Sequence, residues 1–82
     1  MLTVNDAVAM RITKLLLEKE MTQYRLEQKT GIAHGSMQCI MNGRNKNVTL
    51  GMLIAIAAGF EMTVSEFLDD ELFCPDKVDL DK

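Results

Sequence analysis

The sequence predicts an all-α fold: five short helices around one core, in one domain. Three observations carry that prediction. Only one Pro and five Gly occur in 82 residues. Val, Ile and Thr do not alternate in runs, so strands have no pattern to form from. Apolar residues recur instead at helical spacing, three and four apart. The composition is 48% hydrophobic and 26% charged, which suits a folded domain rather than a disordered chain. A chain of this length must use most of its apolar residues in a single core.

The first helix is expected over residues 5–19, with Asn5 or Thr3 as its N-cap, since either side chain can accept from a free backbone N–H. Val8, Ile12, Leu15 and Leu16 form its apolar stripe, and Arg11, Lys14 and Glu18 fall largely off it. Glu20-Met21 connects to a second helix that Thr22 caps. Gly31 stands where the chain must turn left-handed to leave that helix, a conformation open to Gly at no steric cost. Ile32 then drops into the core. A third helix runs from about Ala33 to Asn42 and Gly43 ends it. A polar loop follows over residues 44–48. Thr49 caps a fourth helix, roughly 50–58, with Leu50, Leu53, Ile54 and Ala57 facing inward and Gly59 at its end. Thr63 and Glu66 make a capping-box pattern ahead of Phe67 and Leu68, which places a short fifth helix there. The domain is taken to span residues 1–70, and 71–82 to form a loosely ordered acidic tail, with Leu72 and Phe73 able to pack back on the body.

The net charge of −3 at first opposes a nucleic-acid partner, but its distribution matters more than its sum. Residues 1–59 carry seven bases against four acids, a net of +3, whereas residues 60–82 carry two against eight, a net of −6. Cys39, Cys74 and His34 are too few to complete a four-ligand zinc site, and no metal or cofactor is expected. The N-terminus lacks the basic-then-apolar order of a signal peptide, and the longest apolar run, near Leu53 to Ala58, is far too short to span a membrane. These features predict a cytoplasmic protein with reduced thiols. Catalysis lacks its parts: His34 is the sole imidazole base, no Gly-rich loop could cradle a phosphate, and Asp69, Asp70 and Glu71 do not follow calcium-loop spacing. The protein is not expected to be an enzyme.

Successive residues of a helix turn by about 100°, which assigns faces to the third helix. Ala33, Met37, Ile40 and Met41 fall on one apolar side. Gly35, Gln38, Cys39 and Asn42 point the other way, with His34 and Ser36 at the margins. The outward face is small and polar, and its first turn is free of bulk, as a helix entering a DNA major groove requires. Thr22 and Gln23 open the preceding helix with hydrogen-bonding side chains and unpaired backbone N–H groups, a site suited to phosphate. Arg44 and Lys46 follow the third helix directly.

The segment QYRLEQKTGIAHGSMQCIMNG resembles the helix-turn-helix of phage Cro and repressor proteins and their XRE-like bacterial relatives. Gln23, Leu26, Gly31, Met37 and the closing Asn42-Gly43 carry the likeness. So does the continuation, a basic loop, then Thr49-Leu50 with Leu53, Ile56 and Ala57, then GFEMTVSEFL. The likeness covers roughly residues 9–70. It implies a compact five-helix bundle of the lambda-repressor type and sequence-specific binding of double-stranded DNA by a small transcriptional regulator, with helix 33–42 in the major groove. It also implies roles. His34, Gly35, Gln38 and Cys39 would face base edges. Thr22, Gln23, Ser36, Asn42, Arg44 and Lys46 would contact or lie near phosphates. A homodimer is expected at least on DNA, with the fifth helix and Leu72-Phe73 as candidate surfaces.

Gly35 brings no side chain and Cys39 is a weak hydrogen-bonding group, so His34 and Gln38 are left as the main readers. DNA shape or a closely approaching backbone is expected to share the work. Bland roles stand beside these: a structural histidine for His34, a small surface filler for Cys39, and a solvated end for the acidic tail. The rival function is a protein-interaction or antitoxin-like module that uses the tail to hold a partner.

Overall fold

The computed structural model describes residues 2–44 and 48–80. A two-residue strand β1 (Leu2–Thr3) leads into α1 (Val4–Glu18). There follow α2 (Gln23–Thr30), α3 (His34–Met41), α4 (Leu50–Gly59) and α5 (Val64–Leu68), then a 3-10 turn at Glu71–Phe73 and a strand β2 (Val78–Asp79). The five predicted helices are present, and the architecture is all-α apart from a two-stranded ribbon. Among the described residues no helix is long and apolar enough to cross a membrane.

Caps set most helix starts. Of the two candidates for α1, Thr3 holds the place: its Oγ1 accepts from the Asp6 N–H at 3.0 Å, and Asn5 lies inside the helix. Thr22 accepts from Arg25 N–H at 3.1 Å and Thr49 from Met52 N–H at 3.1 Å. Thr63 and Glu66 form the reciprocal capping box. Helix ends use left-handed turns, but not always on Gly. Gly31 (φ 76°) closes α2 and Gly43 (φ 69°) follows α3, whereas Glu20 (φ 51°) and Glu61 (φ 59°) take that conformation after α1 and α4. Gly59, expected to terminate α4, is instead its last helical residue. Its role is proximity: a Cβ there would lie 2.7 Å from Thr30 Cγ2 and 2.9 Å from Leu26 Cδ1, so the bare backbone lets α4 press against α2.

Val8, Ile12 and Leu15 of α1 meet Leu26, Met37, Ile40, Ile56, Ala57, Phe60 and Phe67 in one core. Two expectations about faces are corrected. On α4, Leu50 and Ile54 were expected inside but are 62% and 50% exposed, while Ile56 and Ala57 are buried. The helix, LGMLIAIAAG, carries no charge, so its periodicity does not select a face and packing does. On α1, Arg11 was placed off the core side but is only 8% exposed. Its Nε donates to Phe67 O at 2.7 Å and Nη2 to Glu66 O at 3.1 Å. A helix end leaves such carbonyls short of partners; Arg11 supplies one for Phe67 O and adds a second to Glu66 O, which also accepts from the Asp69 N–H at 3.2 Å. Its guanidinium also lies 5.9 Å from the centre of the Phe67 ring.

The acidic stretch folds back as far as it is described. Asp70 Oδ2 accepts from Lys14 Nζ at 2.7 Å and from Arg11 Nη1 at 3.2 Å. Phe73 packs against the core, its ring centroid 6.2 Å from that of Phe67. Strand β2 pairs in parallel with β1, Leu2 beside Val78 and Thr3 beside Asp79, and Val78 is buried.

Candidate functional site

Gly31 separates α2 from α3. Its N–H donates to Glu27 O at 2.9 Å, and the next N–H, of Ile32, is taken by Thr30 Oγ1 at 3.2 Å, so the turn is closed by local bonds. The turn sets α3 down on the core through Met37 and Ile40, both fully buried, with Met41 half-buried. Ala33 was assigned to the same inward side. It is exposed and serves as the N-cap, with an extended backbone and no side-chain hydrogen bond. The helix face proper therefore begins one residue later. Because Ala cannot cap, the N–H groups of His34, Gly35 and Ser36 lack intrahelical partners at the exposed start of α3.

His34, Gly35, Ser36, Gln38, Cys39 and Asn42 are all exposed, with Gly35, Gln38, Cys39 and Asn42 on the side opposite Met37 and Ile40 and His34 and Ser36 at its margins. The structure thus brings the four expected base-facing residues onto one surface. Around Gly35 a Cβ would meet nothing within 4 Å, so the open space belongs to whatever approaches from outside. At the other end, Gly43 N–H donates to Ile40 O and Arg44 N–H reaches back to Cys39 O at 2.9 Å. This left-handed closure ties exposed Arg44 to the end of α3. Lys46 lies outside the described residues. Thr22 is exposed at the head of α2, and the half-buried Gln23 beside it faces α3.

Sequence reasoning missed the residue that joins these groups. Glu27 is only 9% exposed. Its Oε2 accepts from Gln23 Nε2 at 2.9 Å, and His34 Nδ1 lies 2.9 Å from Oε2 and 3.2 Å from Oε1. Gln23 Nε2 also donates to Gln38 Oε1 at 3.2 Å. One chain of polar contacts therefore runs from His34 through Glu27 and Gln23 to Gln38. The Gln23 amide holds the Glu27 carboxyl below its usual range; burial opposes this and the His34 contact adds to it. The available signal was the four-residue spacing of Gln23 and Glu27, which puts them on one helix face.

Among the bases outside α3, Lys29 faces Glu61 at 3.6 Å, and Arg11 and Lys14 are held by Asp70. Arg25 is exposed, with one guanidinium nitrogen 3.5 Å from Gln28 Oε1. Among the described residues, Arg25 on α2 and Arg44 after α3 are exposed bases that make no ion pair. Among the described residues, no cluster of three or more His, Cys, Asp or Glu side chains could hold a metal ion.

A family model described as a Cro/C1-type HTH DNA-binding domain matches residues 11–72. No curated protein and no solved structure matches the chain. The matched span takes in α2, its turn and α3, together with α4, α5 and all of α1 after Met10.

Proposed function

The chain belongs to the Cro/C1-type HTH DNA-binding domain family, and from that premise we propose that it is a small transcriptional regulator that binds a specific double-stranded sequence with α3 in the major groove. The observation that carries the reading is the outward face of α3. His34, Gly35, Gln38 and Cys39 form one exposed surface on a helix whose other side is locked into the core by Met37 and Ile40. In this reading His34 and Gln38 contact base edges. Gly35 and Cys39 allow close approach. Thr22, Gln23, Ser36, Asn42, Arg44 and Lys46 lie along the phosphates and fix the register.

Two copies are proposed to read two half-sites about one helical turn apart, and occupancy of the operator acts sterically on polymerase. The rival, a partner module working through its acidic tail, has less support. Asp70 is engaged by Arg11 and Lys14, and Val78 is buried against the N-terminus.

Selection from a randomised duplex library, followed by titration at several salt concentrations, tests the reading. We expect a discrete enriched sequence. Arg44→Ala should weaken binding evenly across sequences and reduce the slope of log K against log salt by about 1 per protomer. His34→Ala and Gln38→Ala should instead relax the preference at particular base pairs. Enrichment of no sequence at low salt, with Arg44→Ala binding like the wild type, rejects the reading.

A further inference from the structure

We propose that Glu27 is a positioning residue that sets the hydrogen-bonding sense of the reading face, turning His34 toward a donor on one base and Gln38 toward an acceptor on another. The inference rests on the DNA-binding reading and deepens it. Its starting point is that an ionised carboxylate can only accept hydrogen bonds. Glu27 lies nearly buried beneath otherwise exposed side chains and touches two of them.

The consequences propagate outward by elimination. His34 Nδ1, at 2.9 Å and 3.2 Å from the two carboxylate oxygens, must carry its hydrogen toward Glu27. A neutral imidazole has one N–H, so Nε2 is left as an acceptor on a side chain that is 69% exposed. The Gln23 atom at 2.9 Å from Glu27 must likewise be the amide nitrogen. The second hydrogen of that nitrogen points to Gln38 at 3.2 Å, so Gln38 turns its oxygen inward and its NH₂ outward.

In the major groove an outward acceptor pairs with adenine N6 or cytosine N4, and an outward NH₂ pairs with guanine O6 and N7, adenine N7 or thymine O4. Glu27 thus selects between base edges without touching either. Both hydrogens of the Gln23 amide are engaged within this chain of contacts. A phosphate at the head of α2 is therefore met by the backbone N–H groups of Gln23 and Tyr24 rather than by the amide.

The test uses the full chain in two measurements. The first is ¹⁵N-histidine NMR of the DNA-free protein, wild type and Glu27→Ala, at a pH where the ring is neutral. The second is binding-site selection with the same two proteins, their folds compared by thermal melting. We expect the Nδ1–H tautomer in the wild type and a shift to Nε2–H in Glu27→Ala. Discrimination should fall roughly tenfold at the base pairs under His34 and Gln38, while the salt slope stays as in the wild type. A general loss of structure would instead lower affinity at every position.

An Nε2–H tautomer in the wild type overturns the proposal and needs no variant to fold. Glu27→Ala that selects the same bases with undiminished discrimination also overturns it. If the wild type itself enriches no sequence, the DNA-binding reading has failed and this inference falls with it. That failure is recognisable because it is seen with Glu27 in place.

Discussion

Gly35 shows how a single residue can serve a surface at the expense of its own helix. It sits in the first turn of α3, and no atom lies where its Cβ would be. Without a side chain it leaves the unfolded chain more freedom to lose and gives the folded state nothing to pack. Gly35→Ala is therefore expected to stabilise the DNA-free protein by about 0.5 kcal/mol, read as a rise in the melting midpoint. If α3 lies in the groove with its backbone close to the bases, the same change lowers DNA affinity. A variant that melts higher and binds as well as the wild type would remove Gly35 from the contact surface. The same scale explains what the residue types withheld. The exposure of His34 and Gln38 was legible because helical spacing puts them away from Met37 and Ile40. The burial of Glu27 was not, because a glutamate in a short helix usually lies in solvent, and its spacing from Gln23 gives a shared face without showing that the face lies under α3.

At the scale of elements, the packing of α4 on α2 depends on Gly59. Thr30 cannot yield easily, since its Oγ1 donates to Leu26 O at 2.9 Å and its β-branched side chain is stiff. Leu26 is fully buried. Gly59→Ala forces a methyl between them and should destabilise the fold by about 1–3 kcal/mol, measured by urea unfolding with an unchanged m-value. An unchanged midpoint would mean that the two helices separate at little cost. Caps behaved differently. Thr22, Thr49 and Thr63 act where their position before a helical run implied, and Thr3 is the one of two candidates that caps α1. Capping joins a side chain to a backbone group two or three residues away, so the sequence order contains it. The faces of α4 were not legible, because an uncharged helix gives its apolar stripe no polar boundary.

At the scale of the whole molecule, the acidic C-terminal stretch draws bases of α1 into the structure. Arg11 and Lys14 both reach Asp70, whose side chain is 8% exposed. The carboxyl of Asp70 is held below the ordinary value of 3.8 by the hydrogen bond from Lys14, then by the Leu72 N–H and the charges of Lys14 and Arg11, against the effect of burial. A depressed folded-state value contributes stability that is present above the unfolded-state value and is lost as pH falls through the folded one. Asp70→Asn should cost about 1–3 kcal/mol at pH 7, chiefly the cost of leaving the buried Arg11 guanidinium without its charged acceptor. The gap to the wild type should close below about pH 4. Denaturant unfolding across pH checks this, and a gap that stays constant down to pH 2 would contradict it. The residue count had treated Arg11 and Lys14 as part of a basic half. In the fold their charge is answered locally by Asp70, whereas Arg25 and Arg44, among the described residues, stay exposed and outside any ion pair.

The order of the helices, their caps, the Gly31 turn and the polar side of α3 follow from the sequence by itself, because each depends on residues within about one or two helical turns of one another. The tertiary structure decided the rest. It buried Arg11 against the end of α5, 55 and 56 residues away in the chain. It exposed Leu50 and Ile54, paired Leu2 with Val78, and set Glu27 beneath His34. Contacts between distant segments depend on how the helices pack against one another, and local pattern does not encode that packing.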